Sequence, residues 1–152
     1  MTPTLVFVDT PVFLYTADDR DLFKQGRARD WVRWCWARRA GRISTQVLNE
    51  LYHNAITRFR THMPVQQARA QVRNLRQWQP PHLDTYVIDG AWALQDRHAL
   101  GYWDALVVSS AQQQGFRYLL SEDLPHQQRF ETVQVLNPFL VQPDDLPPPD
   151  ER

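Results

Sequence analysis

The segment 4–15, TLVFVDTPVFLY, opens with a short apolar run that ends at an acid, Asp9. A continuous run of β-branched and aromatic residues of this length predicts a strand that is buried on both faces. RYLL at 117–120 and VQVL at 133–136 are runs of the same type. Because helical segments occupy most of the chain between these runs, the sequence predicts an α/β domain with a mainly parallel central sheet of four or five strands.

Helix boundaries follow from capping residues, glycines and prolines. Asp18 and Asp19 are candidate caps of a helix that Gly41 ends, and Pro64 lies at the start of another helix. Residues 42–44 are predicted to form one more short strand. The predicted helices span residues 20–40, 45–59, 65–78, 85–98 and 102–114.

With 152 residues the chain fits one domain, which we expect over residues 1–141. Residues 142–152 are rich in proline and acids, a composition that predicts a disordered tail. Cys35 is the only cysteine, so no intramolecular disulfide is expected and no zinc spacing is present. The first residues lack the basic start of a signal peptide, and Asp9 and Pro11 interrupt their apolar run. We therefore expect a cytoplasmic protein that does not associate with membranes.

The formal net charge is zero, but the charges are unevenly distributed along the chain. Residues 20–76 contain 13 Lys and Arg against three Asp and Glu, and the remainder is correspondingly acidic. This asymmetry is typical of proteins that bind polyanions, although a pair of solvated helix faces gives the same pattern.

Four acids stand out by their positions. Asp9 follows the first strand, Asp123 closely follows the strand at 117–120, Asp104 lies in the first turn of the last helix, and Glu50 lies inside a helix on the same stripe as Asn54. Taken singly, each acid has an ordinary structural explanation as a cap, a turn residue or a solvated helix charge. In an α/β sheet, however, the carboxyl ends of the strands meet at one edge, where functional groups gather. We therefore expect the four carboxylates to lie within a few ångströms of one another.

Carboxylates that close together repel and raise one another's pKa. A hard divalent cation such as magnesium or manganese, which takes oxygen ligands, relieves this repulsion. With a phosphate substrate, such a cation polarises the phosphoryl oxygen and activates water. The constellation therefore indicates metal-dependent hydrolysis of a phosphodiester.

Four segments carry a resemblance to a known family: VFVDTPVFLY, ISTQVLNELYHNA, LGYWDALVVSSAQQQG and YLLSEDLPHQQRFETVQVLNPF. They resemble the PIN-domain nucleases, and most closely the toxins of bacterial VapBC toxin–antitoxin pairs, from about Leu5 to Phe139. The resemblance implies a three-layer α/β/α domain that cleaves RNA with magnesium or manganese, forms a homodimer and is inhibited by a small antitoxin.

The resemblance also implies roles for individual residues. Asp9, Asp104 and Asp123 would ligate the metal, and Glu50 would act on the metal or its water. Ser121 would position the substrate or a metal-bound water, and Thr10 matches the Thr or Ser that the family has after its first acid. Asn54, on the same stripe as Glu50, is a further candidate supporting residue. Asp123 is favoured over its neighbour Glu122 as the ligand, because adjacent residues in an extended segment point in opposite directions. The arginines that could follow an RNA backbone around the site are Arg27, Arg38, Arg39, Arg42, Arg58, Arg60, Arg69, Arg73 and Arg76.

Two positions depart from the family pattern. Pro11 stands where the family usually has Asn, which removes an amide and a backbone donor beside Asp9. Gln127 stands where close relatives usually have Gly, so we expect the loop around it to differ in shape.

Trp31, Trp34 and Trp36 crowd one predicted helix and form an apolar stripe too wide for a single core contact. One interpretation is a helix sandwiched inside the fold. The other is an exposed groove that a second copy of the chain or an antitoxin covers.

Three other functions compete with that of a toxin. A phosphatase of the haloacid dehalogenase type needs a second acid two residues after Asp9, where this chain has Pro11. A catalytically inactive PIN module would bind only RNA or protein, but all four acids are present. An RNA maturation or decay nuclease without an antitoxin would use the same chemistry, and the sequence leaves it open.

Overall fold

The computed structural model describes residues 4–58 and 63–147. Within them, the chain forms an α/β domain around a sheet of five strands in the order β2-β1-β3-β5-β4. The strands are β1 (Val6–Val8), β2 (Gly41–Arg42), β3 (Tyr118–Leu120), β4 (Arg129–Phe130) and β5 (Val133–Leu136). The helices are α1 (Thr10–Tyr15), α2 (Leu22–Arg38), α3 (Thr45–Thr57), α4 (Val65–Leu75), α5 (Thr85–Arg97) and α6 (Tyr102–Gln113).

The sheet is mainly parallel, as the sequence predicts. Strand β1 pairs in parallel with β2 and β3, and β3 pairs in parallel with β5. Every residue of β1 and β3 is buried, and because successive side chains point to opposite faces, both faces of the sheet are covered. Strand β4 is antiparallel to β5, and its two residues were not predicted because they are too few to form a pattern.

Helix α2 begins and ends at residues other than those predicted. Its N-cap is Asp21, whose side chain accepts a hydrogen bond from the backbone N–H of Lys24. Its C-cap is Arg39, which takes the left-handed conformation with φ 52°. Gly41 lies instead in β2, where a Cβ would stand 2.5 Å from the Trp78 ring, so the glycine permits a close approach of strand and side chain.

Helix α1 was not predicted as a separate element. The Asp9 side chain caps it by accepting a hydrogen bond from the Thr10 N–H, and Pro11 occupies an early helical position where a missing N–H costs nothing. The departure from the family pattern at Pro11 is therefore compatible with the backbone that it occupies.

A 3₁₀ turn follows the predicted end of the domain. Residues Pro143–Asp145 form this turn, and the Gln142 N–H donates to the Asp145 carboxylate at 2.8 Å. Leu146 packs against the core. Residues 148–152 lie outside the described part of the chain.

The three tryptophans of α2 lie in different environments. Trp31 is fully buried, and its indole N–H donates to the backbone oxygens of Pro138 and Val141. Trp34 packs edge-on against Trp31, and Trp36 packs on Trp78 with 38% of its surface exposed. The carboxyl-terminal chain therefore covers the first of the three tryptophans, and only Trp36 is left exposed.

In the described part of the chain, no helix combines the length and the apolar character needed to cross a bilayer.

Candidate metal centre

Three of the four predicted carboxylates meet at the carboxyl edge of the sheet. Asp9, Asp104 and Asp123 each present one carboxylate oxygen, and these oxygens lie within 4.8 Å of one another. Strand pairing brings two of the acids together, since Val8 of β1 is in register with Leu120 of β3 and the Asp9 N–H donates to the Leu120 carbonyl. The first turn of α6 carries Asp104 to the same point.

Asp9 is the buried member of the cluster. Its Oδ1 accepts the hydrogen bond from the Thr10 N–H at 2.8 Å, and its Oδ2 accepts one from the Ser121 hydroxyl at 3.0 Å. The pKa of Asp9 is raised to about 7, mainly because the carboxyl is buried; the two hydrogen bonds lower the pKa, and the nearby Asp123 and Glu50 charges raise it by smaller amounts. The ionised form of Asp9 is therefore costly unless a cation is present.

Ser121 connects two of the aspartates. Its hydroxyl donates to Asp9 and accepts the backbone N–H of Asp123 at 3.2 Å. One buried side chain thus positions the buried carboxylate and the loop that carries the exposed one.

The other two aspartates also resist ionisation. Partial burial raises the pKa of Asp104, and the charges of Asp123 and Glu50 add to the rise. Partial burial likewise raises the pKa of Asp123, where Glu122 raises it further and Lys24 lowers it. Each shift has the direction expected for carboxylates gathered around an unneutralised site.

Glu50 lies beside the three aspartates and is fixed by hydrogen bonds. Its Oε2 accepts from the Thr10 hydroxyl at 2.9 Å, and its Oε1 accepts from the Gln46 side chain at 2.7 Å. The predicted supporting residue Asn54 donates to the backbone oxygen of Glu50 and not to its carboxylate. Both oxygens of Glu50 thus have partners, and Glu50 is not among the three acids whose oxygens lie within 4.8 Å of one another.

Gln46 was not predicted from the sequence. It is 6% exposed, and its amide also donates to the backbone oxygen of Trp103, the residue before Asp104. Gln46 therefore joins α3 to the first turn of α6 and sets the position of Glu50 relative to Asp104. The sequence feature that could have predicted this role is the position of Gln46 one helical turn before Glu50, a spacing at which two helical side chains meet.

Glu122 is bound to Tyr15 and Lys24 and is not one of the three converging acids. Its carboxylate accepts hydrogen bonds from the Tyr15 hydroxyl at 2.8 Å and from the Lys24 ammonium at 2.7 Å. The Lys24 ammonium lies 5.0 Å from the centre of the Tyr15 ring and 5.1 Å from that of Phe139. This engagement leaves Asp123 as the acid that faces the cluster, and nothing in the local sequence pattern indicated the role of Lys24.

The acids line a cavity of about 310 Å³, which we call the acid pocket. Its wall includes Leu14, Arg58 and Trp103, and Trp103 is 66% exposed. The pocket thus combines carboxylates with a cation and an accessible aromatic surface.

The donor set fits a hard divalent cation. Three carboxylate oxygens converge within 4.8 Å, and in the described residues none of these aspartates forms an ion pair with Lys or Arg. Hard cations prefer such oxygen donors, whereas no cysteine or histidine belongs to the set.

The predicted arginines do not form one surface around the acid pocket. Arg58 lines the pocket, Arg39 and Arg42 line a different cavity, and Arg60 lies outside the described residues. Gln127 has φ 69°, the left-handed conformation that glycine adopts at little cost, so this position keeps a backbone conformation that suits glycine.

Comparison with solved structures identifies the fold. VapC20 of Mycobacterium tuberculosis, a toxin that cleaves the sarcin–ricin loop, matches with a TM-score of 0.55 and 20% sequence identity over 75% of this chain and 86% of that chain. A toxin–antitoxin complex from Klebsiella pneumoniae matches with a TM-score of 0.59 and 18% identity over 89% and 98% of the two chains. DNA-bound VapBC from Salmonella typhimurium matches with a TM-score of 0.60 and 16% identity over 88% and 97%.

No family model and no curated protein sequence matches the chain. The chain has the PIN-like fold of the VapC toxins, and the resemblance carried by its sequence motifs is confirmed at the level of the fold.

Proposed function

We propose that the protein is a metal-dependent endoribonuclease and the toxin of a type II toxin–antitoxin pair. The observation that carries this proposal is the convergence of Asp9, Asp104 and Asp123, with oxygens within 4.8 Å, at the strand ends of a PIN-like fold. The same fold in VapC20 of Mycobacterium tuberculosis belongs to a toxin that cleaves RNA.

In this proposal Asp9, Asp104 and Asp123 hold magnesium or manganese. When bound, the cation neutralises the carboxylates, polarises the scissile phosphodiester and makes water more acidic. Glu50, fixed by Gln46 and the Thr10 hydroxyl, accepts a proton from the attacking water. Ser121 keeps Asp9 and the Asp123 loop at their separation.

The substrate would meet the acid pocket through the two side chains on its wall that suit RNA. The Arg58 guanidinium can pair with a backbone phosphate, and the exposed indole of Trp103 offers a face on which a base can stack. These contacts offset the repulsion between the carboxylates and the RNA backbone.

We further propose that a small antitoxin inhibits the enzyme by covering the acid pocket with a cationic side chain. Two of the matching structures are a toxin–antitoxin complex and a DNA-bound VapBC complex, which supports a partner of this kind. A homodimer is proposed as well, and the exposed rings of Tyr86 and Trp92 on α5 are candidates for its contact. Such a toxin would act in the cytoplasm, where its RNA substrate lies.

The test is cleavage of total RNA by the purified protein with Mn²⁺, with Mg²⁺ and with EDTA. We expect cleavage that stops with EDTA and leaves a 5′-phosphate, and a loss of more than about tenfold, or 1.4 kcal/mol, in Asp104→Asn. Asp96→Asn, an exposed acid on α5, is the matched control and should cleave as the wild type does.

Other outcomes decide between the alternatives. RNA binding without cleavage under any metal condition would indicate an inactive module. If a small protein encoded next to this chain is co-expressed with it and leaves cleavage unaffected, the chain would be a nuclease without that protein as its antitoxin.

A further inference from the structure

A second cavity lies at the other end of α6, away from the acid pocket. It has a volume of about 570 Å³ and lies among the end of α2, strand β2, the turn after α4 and the end of α6. Asp104 lies in the first turn of α6 and Gln114 directly follows its end, so about 15 Å of helix separates these two residues. We call this cavity the basic cleft, and its lining includes Arg39, Arg42, Trp36, Trp78, Gln79 and Gln114.

The charge of the basic cleft is positive and uncompensated. Arg39 and Arg42 both line it, and among the described residues no acid does. Within residues 4–58 and 63–147, neither arginine forms an ion pair with a carboxylate. One nitrogen of the Arg42 guanidinium donates to the backbone oxygens of Arg39 and Gly41, which holds the group at the cleft and leaves its other nitrogens for a ligand.

The cleft also offers an aromatic surface. Trp36 lines it with 38% of its surface exposed, and its ring packs at a tilt on the buried Trp78, with 5.3 Å between the ring centres. This contact holds the Trp36 indole at the cleft while part of the indole stays accessible.

Arg39 and Gln79 both take the left-handed conformation, with φ 52° and φ 51°, and each is the C-cap of the helical segment that it follows. A left-handed cap is a common helix ending, and at these two ends it places polar side chains at the cleft.

We propose that the basic cleft binds a nucleotide of single-stranded RNA, with the base stacked on Trp36 and the adjoining phosphate paired with Arg39 and Arg42. The proposal rests on the proposed function, because it gives the RNA substrate a second anchoring point about 15 Å from the acid pocket. An acidic peptide would satisfy the guanidiniums alone, whereas a nucleotide also uses the exposed indole.

The experiment is fluorescence anisotropy of a labelled single-stranded RNA in EDTA, where cleavage does not interfere. Trp36→Leu should weaken binding by roughly tenfold, and Trp36→Phe should retain most of the affinity because it retains a stacking face. Arg39→Gln should weaken binding and reduce the dependence of affinity on salt by about one phosphate contact. Arg33→Gln, an exposed arginine on the same helix, is the matched control and should change binding little.

A second measurement does not depend on variants. RNA carrying 4-thiouridine, irradiated with the wild-type protein, should become crosslinked to the α2 peptide that contains Trp36. The proposal is overturned if that peptide stays unlabelled, if Arg33→Gln and Arg39→Gln weaken binding equally, or if polyglutamate displaces the RNA as well as unlabelled RNA does.

Cleavage measured separately in Mn²⁺ keeps the two proposals distinguishable. Cleavage by the wild type, together with unchanged RNA binding by the Trp36 and Arg39 variants, would refute the basic cleft and leave the nuclease intact. Crosslinking at Trp36 without any cleavage would refute the nuclease and leave the cleft intact.

Discussion

Replacing Asp9 by Asn should stabilise the metal-free protein at neutral and alkaline pH. Asp9 is buried, and burial raises its pKa to about 7. Asn carries no charge, can accept the hydrogen bond from the Thr10 N–H through its oxygen, and can donate through its amide to the Ser121 hydroxyl. The substitution therefore removes the cost of a buried charge while preserving the contacts on both sides.

The size of the effect follows from proton linkage. An unfolded Asp loses its proton near pH 4, whereas Asp9 in the folded state keeps it until about pH 7. Between these values the folded state binds more protons, so its stability falls as the pH rises. At about 1.4 kcal/mol for each pKa unit, ionised Asp9 costs the folded state about 4 kcal/mol above pH 7. For a domain of this length, that corresponds to roughly 10 °C in Tm.

The assay is urea unfolding in EDTA at pH 5 and pH 8, with the exposed Asp96→Asn as the control. Asp9→Asn should gain stability over the wild type at pH 8 and much less at pH 5. Manganese should reverse the order at pH 8 by stabilising the wild type selectively. An Asp9→Asn protein that is less stable than the wild type at pH 8 in EDTA would refute the reasoning, because the buried carboxylate would then be stabilising without a cation.

Two further variants test residues that support the acid pocket. Gln46→Leu removes the donor that holds Glu50, and because hydrogen bonds to charged groups contribute roughly 1.5–3 kcal/mol, kcat should fall by at least about tenfold. The pH–rate profile should also shift, and an unshifted profile would mean that Gln46 contributes only packing. Lys24→Met leaves the Glu122 charge unneutralised beside Asp123, so the pKa of Asp123 should rise and activity in Mn²⁺ should begin at higher pH. Lys24→Arg should restore the wild-type profile, and identical profiles in all three proteins would contradict the electrostatic argument.

The parts of the site that the sequence predicted are those that the sheet determines. Asp9 and Asp123 follow strands that the apolar runs predicted. Parallel pairing of β1 with β3 brings the ends of these strands, and with them the two acids, close together. Asp104 was predictable for a related reason, since it lies in the first turn of a helix that starts at the same edge. Strand pairing is a regular pattern, and regular patterns leave a signal in the sequence.

The parts that the sequence did not reveal depend on single side-chain contacts. The end of α2 was predicted at Gly41, because glycine commonly ends a helix. Arg39 ends the helix instead, in the left-handed conformation, and Gly41 permits the close approach of Trp78. The Lys24 and Glu122 pair joins residues 98 positions apart, a separation for which no local pattern exists. Such contacts depend on tertiary packing, which the local periodicity of the sequence does not reveal.

The central claim is that a cation held by Asp9, Asp104 and Asp123 acts on the scissile phosphate. Its most direct test is the cleavage rate of an RNA with sulfur in place of a non-bridging oxygen at the cleaved bond. Because magnesium binds sulfur poorly and the softer manganese binds it better, the account predicts slow cleavage in Mg²⁺ and recovery in Mn²⁺ for one of the two sulfur isomers. Equal rates for the sulfur and oxygen substrates in Mg²⁺, for both isomers, would contradict it.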